Sequence, residues 1–374
     1  MDIDPQIMSI IRHGDYHEIH ESLEKAGLLE NGVAELRAKY TERFKARDFE
    51  PDQKIWEMMV IEDFYDALTL KHSVRTFELI DEIIHKNLVG PHRENVRLKE
   101  LIEANGVSVH DMRLAALGHD IGKLKIPLEV LHNTLSDDDM NHILLDMIHC
   151  GVHKKEIFER IGFDAGENET KSDEEILSAL YEKGLRGINV VPLSEAFPEE
   201  KYPGVTESLQ KRGFSPDQTI KQVAVAHESA GKEIFETLNE PVVADLIGHH
   251  HNYKKEPDSD MKYKIKIPAL HTIDAGDEFG IYNLLKIADE MDSLQSSRPY
   301  KKAMTRLSAL AELTHQADAN RLEKRLLYLL VDNEYEELKE KMKNGTLDAK
   351  TQEEEKKSIE RVEEFLAKTK LIFA

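Results

Sequence analysis

Apolar side chains recur along most of this chain at intervals of three and four residues, the spacing of one face of an α-helix. The longest such stripe predicts one or two helices between residues 53 and 85, through Ile55, Met58, Met59, Ile61, Phe64, Tyr65, Leu68, Val74, Phe77, Ile80 and Ile84. Residues 108–122 predict a helix that is capped by Ser108 and ends near Gly122. Further helices are predicted over 173–183, 220–238, 241–251 and 279–295. These stretches favour an all-α fold.

Two stretches interrupt the helical pattern. Residues 161–207 are rich in Gly, Glu, Asp and Pro and are typical of an insertion or a lid. Tyr263, Ile265 and Ile267 alternate with polar residues and predict a short β segment. We therefore predict three segments: an N-terminal helical segment over 1–60, a central domain over 61–330 with an insertion at about 150–215, and a charged helical tail over 331–374.

The composition restricts the class of partner. The 374 residues carry a net charge of −22, which repels nucleic-acid backbones and anionic membranes and argues against a polymeric nucleic acid. A small phosphate substrate stays compatible if bound metals reverse the local field. The single cysteine, Cys150, cannot form an intrachain disulfide, and no apolar stretch approaches the roughly 20 residues that span a bilayer. We expect a soluble, cytoplasmic protein that does not contact a membrane.

Seven side chains of the type that binds divalent transition metals follow one another along the chain. Imidazoles and carboxylates suit such metals, and seven ligands are too many for one tetrahedral ion but fit two ions that share a bridging carboxylate. Each histidine taken alone is more typical of a buried or surface side chain with ordinary polar contacts, so the hypothesis depends on the complete set. The predicted ligands are His72, His119, Asp120, His227, His250, His251 and Asp289.

Two choices within this set depend on helix faces. The stripe of Val243, Leu246 and Ile247 continues to positions 250 and 251, which favours those two histidines as ligands and leaves His249 facing outward. Replacement of His251 by His249, or a surface histidine cluster without a metal, stays open. On the later helix, Asp289 has a competitor in Asp292, which lies three residues on and shares roughly the same face.

Over roughly residues 65–330, the chain resembles the HD-GYP subgroup of the HD phosphohydrolase superfamily. The resemblance is carried by six short motifs in the same order, which are His72-Ser73-x-Arg75-Thr76, His119-Asp120-Ile121-Gly122-Lys123-x-x-Ile126-Pro127, His227-x-x-x-Gly231, His250-His251, Ala288-Asp289-x-x-Asp292 and Arg298-Pro299-Tyr300. It implies an HD-domain helical bundle with a metal centre in its core, here with extra N- and C-terminal helices.

The resemblance also implies an activity. Proteins of this subgroup hydrolyse phosphodiesters, typically cyclic di-GMP, at two or three metal ions that are often iron or manganese. The seven residues above would be metal ligands, with Asp120 bridging, while Lys123 and Arg298 would contact substrate phosphates. We expect a hydroxide that bridges two ions to attack phosphorus. Iron or manganese is the favoured metal, and magnesium or nickel remains conceivable.

Two departures from the family pattern leave alternatives open. The Gly-Tyr-Pro signature should follow the double histidine, but the sequence reads Asn252-Tyr253-Lys254-Lys255-Glu256-Pro257. Another nucleotide substrate, or a catalytically weak nucleotide-binding sensor, is therefore an alternative. Members with three metals carry a Glu four residues before the first histidine, where this chain has Leu68, so we expect two ions. The helix over 331–374 is a candidate for pairing with a second copy in a homodimer.

Overall fold

The computed structural model describes residues 3–132, 135, 137–161, 163, 171–251, 262–267, 278–296, 303–344 and 355–373. Nearly all of its regular structure is helical, so the predicted all-α class is confirmed. Within these ranges, every helix is too short or too polar to cross a bilayer. The assignment of the bundle to the HD domain stays a prediction.

The helices follow one another with short connections through most of the described chain. They are α1 (Pro5–His13), α2 (Tyr16–Lys25), α3 (Leu28–Lys45), α4 (Gln53–His85), α5 (Leu98–Ala104), α6 (Val109–Gly118), α7 (Leu128–Leu131), α8 (Asp137–His149), α9 (Lys154–Ile161), α10 (Asp173–Glu182), α11 (Gly187–Val190), α12 (Leu193–Ala196), α13 (Val205–Lys211), α14 (Ile220–Ala224), α15 (Ala226–Thr237), α16 (Pro241–Ile247), α17 (Tyr282–Gln295), α18 (Arg306–Asp318), α19 (Lys324–Lys343) and α20 (Lys356–Lys370). Two 3-10 turns cover Ile121–Lys125 and Leu371–Phe373.

The strands form two small antiparallel hairpins. Strand β1 (Asn87–Val89) pairs with β2 (Asn95–Arg97), with Leu88 opposite Val96. Strand β3 (Lys264–Lys266) pairs with β4 (Glu278–Gly280), with Ile265 opposite Phe279. The alternation of Tyr263, Ile265 and Ile267 thus predicted a strand at the correct place.

The chain divides into two compact units. The smaller unit contains Met1–Leu23 and Gly122–His227, and the larger unit contains Glu24–Ile121 and Glu228–Ala374. The smaller unit has its own apolar core, which includes Met140, Leu144, Phe158, Leu180 and Leu193. The predicted boundaries of the three segments and of the insertion stay a prediction.

Helix α4 is the central element of the larger unit and packs against α3, α6 and α17. Asp52 caps it by accepting a hydrogen bond from the backbone N–H of Ile55 at 3.0 Å. At Asp66 the backbone leaves the helical region, with φ −152° and ψ 97°. The Asp66 carboxylate accepts from the N–H groups of Leu68 and Thr69 at 3.0 and 3.3 Å, which is the contact of an N-cap. The long apolar stripe therefore folds as two helical segments joined by a kink.

The kink changes the outcome for one residue of the predicted stripe. Leu68 lies two positions after Asp66 and is 62% exposed, although its spacing placed it with the buried positions. The pattern allowed one or two helices but did not locate a break, and the extended residue at Asp66 interrupts the helical period just before Leu68. Beyond the kink, Val74, Phe77 and Ile80 are buried as predicted.

Helix α6 begins as predicted and ends four residues early. Ser108 and Asp111 form a capping box, in which each side chain accepts from the other residue's backbone N–H. The helix ends at Gly118, and a 3-10 turn follows from Ile121. At Gly118 the ring of Phe235 on α15 lies against the backbone, in the space that a Cβ atom would occupy. The glycine therefore permits close packing of α15 on the end of α6, directly before His119.

The terminal helices of the larger unit are held by partly buried ion pairs. Arg306 on α18 binds Glu334 on α19 through two hydrogen bonds of 2.7 and 2.9 Å, and Lys86 after α4 binds the same carboxylate at 2.8 Å. Burial alone would raise the pKa of Glu334, but these two cations lower it to about 2. Helix α20 then packs on α18 and α19 within this unit.

Replacing Gly118 by alanine should destabilise the larger unit. The added methyl group needs the space of the Phe235 ring, and overpacking of this kind costs about 1–3 kcal/mol. Urea unfolding of the wild type and of Gly118→Ala measures the difference. In a Phe235→Leu background the penalty should shrink, because the ring that meets the methyl group is gone. An equal penalty in both backgrounds would contradict this account.

Candidate metal centre

Three helices of the larger unit bring predicted ligands together. His72 lies in the second segment of α4, His119 and Asp120 follow the last residue of α6, and Asp289 lies in the middle of α17. All four are buried, from 0% exposure for His119 to 8% for His72 and Asp289. One ligand atom from each of His72, His119 and Asp289 lies within 4.8 Å of the others, a spacing that suits a common ion. We call His72, His119, Asp120 and Asp289 the α4–α6–α17 group.

His72 is held at both ring nitrogens. Its Nε2 lies 2.9 Å from Oδ1 of Asp289 and 3.6 Å from Oδ2 of Asp120. Its Nδ1 lies 2.6 Å from Oδ2 of Asp292, one turn further along α17. The ring therefore presents Nε2 to the two carboxylates that were predicted as ligands.

His119 provides the test of whether a metal fits. Its Nδ1–H donates to the carbonyl of Ala116 at 2.9 Å, which places the lone pair on Nε2. That Nε2 is buried and has no hydrogen-bond partner among the described residues, while Oδ2 of Asp120 and Oδ1 of Asp289 lie 3.4 and 3.6 Å away. A buried acceptor left in this state is costly unless something binds it. A cation between the imidazoles and the carboxylates would satisfy it, so the residues fit a metal.

A second group follows from three more histidines. His250 and His251 lie in a turn after α16, and His227 lies in the first turn of α15, a continuous helix that belongs to the larger unit from Glu228 onward. One ring nitrogen from each of the three lies within 4.8 Å of the others. The His250 ring lies 5.4 Å from His119 and 4.0 Å from His251 between centroids, so the two groups are neighbours. Buried histidine and aspartate groups that can hold metal ions are thus present.

The triple histidine differs from the predicted continuation of α16. Pro241 begins that helix as expected, but its last residue is Ile247. The Nδ1–H groups of His249 and His250 donate to the carbonyls of Asp245 and Ile247, at 2.7 and 2.6 Å. These carbonyls belong to the end of the helix, where intrahelical donors run out. The same bonds point His250 into the site, while His249 is not a member of either ligand group.

The electrostatic balance of the α4–α6–α17 group favours a cation. Burial alone would lower the pKa of His72, but its hydrogen bonds to Asp289 and Asp292 and the nearby Asp120 raise it to about 9. Burial alone would raise the pKa of Asp289, but the imidazoles of His119 and His72 hold it well below its usual value. Near neutral pH the metal-free group therefore carries a proton on His72 at the place where a metal would bind.

The remaining predicted site residues are placed as follows. Lys123 lies in the 3-10 turn after Asp120 and is partly buried. Arg298 and the Arg298-Pro299-Tyr300 motif lie outside the described residues, as does the Asn252–Pro257 segment that replaces the Gly-Tyr-Pro signature. Leu68, at the position of the third-metal glutamate, points to solvent. A bridging role for Asp120 stays a prediction.

The structure also gives Asp292 a contact that the sequence left open. The sequence makes Asp292 a competitor of Asp289, since both occupy one face of α17, but the Asp292 carboxylate lies on the far ring nitrogen of His72. The signal in the sequence is the three-residue spacing itself, which sets two carboxylates one turn apart beside the same imidazole.

Comparison of the chain with family models, with curated proteins and with solved structures found no match in any of the three. The resemblance to the HD-GYP subgroup therefore stays a prediction that depends on the order and spacing of the motifs.

Metal binding should release the proton of His72 between about pH 6.5 and pH 9, and at lower pH as well, because the folded protein keeps that proton up to about pH 9. The raised pKa of His72 stabilises the metal-free fold fully below 6.5, and this stabilisation is lost as the pH rises through 9. A metal must displace the same proton, so its apparent affinity should increase with pH by up to about tenfold per unit and level off above 9. Calorimetric titration with Mn²⁺ in two buffers of different ionisation enthalpy counts the protons. An affinity that does not change with pH in this window would contradict the assignment of His72.

Proposed function

We propose that this chain is a metal-dependent phosphodiesterase that hydrolyses a cyclic dinucleotide, with cyclic di-GMP as the substrate. The observation that carries the proposal is the buried α4–α6–α17 group, in which the Nε2 atom of His119 lacks a hydrogen-bond partner in the described chain and lies beside two carboxylates. The neighbouring histidine group supplies ligands for a second ion. The ordered motifs that resemble the HD-GYP subgroup supply the reaction type.

The chain's own residues would divide the work between holding metal and holding substrate. His72, His119, Asp120 and Asp289 would hold one ion, and His227, His250 and His251 the other. Asp120 is proposed as a ligand of both ions. When bound, the two ions would polarise the phosphate and increase the acidity of a water molecule. Lys123 would contact a substrate phosphate from the turn after Asp120, and Arg298, outside the described residues, is proposed for the same role.

The burial of the ligands has a chemical consequence. With His119 fully buried and Asp120 at 2% exposure, the carboxylates are withdrawn from bulk water, and their attraction for a divalent ion is strong. Iron or manganese suits a set of imidazoles and carboxylates. We place the reaction in the cytoplasm, because a reducing compartment keeps ferrous iron available and the single Cys150 needs no disulfide partner.

One feature of the sequence favours a second candidate. The residues after His251 do not contain Gly-Tyr-Pro, so a different nucleotide phosphoester is the alternative substrate at the same metal centre. Both candidates use the same ligands, and a panel of cyclic dinucleotides and mononucleotides distinguishes them.

Replacing Asp120 by alanine should abolish both metal binding and hydrolysis. The substitution removes the carboxylate that lies within 3.6 Å of the Nε2 atoms of both His72 and His119. The wild type, loaded separately with Mn²⁺ or ferrous iron, should convert cyclic di-GMP to the linear dinucleotide or to GMP, with the products resolved by chromatography. The variant should yield neither product and should bind less metal per chain.

The matched control is Asp318→Ala, which removes a carboxylate paired with Lys324 and Arg361 outside both ligand groups. This control should keep full activity and full metal content. Turnover retained in a clean Asp120→Ala preparation would refute the assignment of the site. Absence of product from a wild type that binds two metals would transfer the proposal to another nucleotide.

A further inference from the structure

The carboxylate of Asp292 is fully engaged by neighbouring donors. Oδ1 accepts from Nε of Arg75 at 2.7 Å, and Oδ2 accepts from the Arg75 guanidinium at 2.9 Å, so the pair is bidentate. Oδ2 also lies 2.6 Å from Nδ1 of His72 and accepts from the hydroxyl of Ser296 at 3.1 Å. Arg75 in turn donates to the Ser296 hydroxyl at 2.8 Å. The carboxylate is therefore bound on both oxygens, away from the Nε2 atom of His72.

This arrangement determines which nitrogen of His72 faces the metal centre. An ionised carboxylate only accepts hydrogen bonds, so the Nδ1 atom of His72 must carry the proton. In the neutral imidazole that would bind a metal, the lone pair is then on Nε2, which faces Asp120 and Asp289. Without a metal, Nε2 carries the second proton and donates it to Asp289 at 2.9 Å. A carboxylate on the far nitrogen of a ligating imidazole also increases the ligand's basicity and fixes its ring.

We propose that Arg75 and Asp292 act as a positioning pair for His72, with Arg75 holding Asp292 in the orientation that keeps the Nε2 atom of His72 directed at the metal. His72 and Arg75 lie three residues apart in the second segment of α4, so they share a helix face after the kink at Asp66. Asp292 reaches both from α17. The pair thus aligns α4 and α17 at the centre without Asp292 itself binding metal.

The inference rests on the metal centre of the proposed function and not on any particular substrate. Its test is therefore metal binding. If the wild type binds metal but hydrolyses none of the nucleotides, the proposed activity fails while the positioning pair is still tested. If the wild type binds no metal at all, both proposals fail.

The experiment measures Co²⁺ affinity and the Co²⁺ absorption spectrum for Arg75→Met and Asp292→Asn. The methionine keeps the aliphatic length of a side chain that is 41% exposed, and the asparagine keeps the shape of Asp292, so neither substitution should prevent folding. We expect Co²⁺ affinity to fall by roughly 10–100-fold in both variants, with a changed ligand-field spectrum. Arg75→Lys, which keeps the charge but loses the bidentate fork, should restore part of the affinity.

A matched control is present at the contact of α4 with α3. Arg43 on α3 binds Glu78 on α4 through two hydrogen bonds, at 2.9 and 2.6 Å, and its side chain is also 41% exposed. Arg43→Met therefore removes an equivalent ion pair at a site that contains no ligand. Its Co²⁺ affinity and spectrum should equal those of the wild type.

A second readout separates positioning from stability. In the Co²⁺ protein the buried Nδ1–H of His72 should give a hyperfine-shifted proton signal that exchanges slowly with solvent, because Asp292 holds it. In Arg75→Met that signal should broaden through faster exchange, while Arg43→Met should retain it. Wild-type affinity and an unchanged signal in Arg75→Met would overturn the proposal, and so would an equal loss of affinity in Arg43→Met.

Discussion

The burial of three carboxylates around one imidazole is the constraint on which the larger unit depends. Asp120, Asp289 and Asp292 are exposed by 2, 8 and 4%, and all three lie close to His72 or His119. Ionised groups withdrawn from water cost several kcal/mol each unless they are paired. Arg75 meets this requirement for Asp292, whereas Asp120 and Asp289 share the imidazoles. A divalent cation is the partner that would complete the balance.

Backbone carbonyls near helix ends orient the histidine rings. The Nδ1–H of His119 donates to Ala116 and that of His250 to Ile247, each three residues earlier, and His227 bonds Ala224 in the same way. For His119 and His250 these carbonyls lie in the last turn of α6 and α16, where backbone acceptors lack intrahelical donors. One hydrogen bond thus caps a helix and selects the ring nitrogen that faces the site. For His119 and His250, a backbone carbonyl therefore places the proton on Nδ1. His72 lies in mid-helix, and there the Asp292 carboxylate places the proton on Nδ1 instead.

Several local features followed directly from the pattern of residues. The capping box at Ser108, the start of α16 at Pro241 and the short strand at Ile265 lie where the sequence predicts them. The position of the kink at Asp66 and the early ends of α6 and α16 were not predicted. Each depends on a side chain that competes for backbone hydrogen bonds, and hydrophobic spacing does not record that competition. Leu68 is the example: the apolar spacing continues through the kink and predicts a buried residue, but Leu68 faces solvent.

The sequence by itself determined the helical class, most helix positions and the residue types of the candidate centre, because periodicity and ligand chemistry are local properties. Tertiary structure alone decided which ligands meet and which nitrogen each imidazole presents. It also decided that Asp289 faces the Nε2 atom of His72 while Asp292, three residues later, holds the Nδ1 atom. The physical reason is that α4, α6 and α17 converge from distant parts of the chain. The rotation of α17 relative to α4 places Asp289 on one side of the His72 ring and Asp292 on the other.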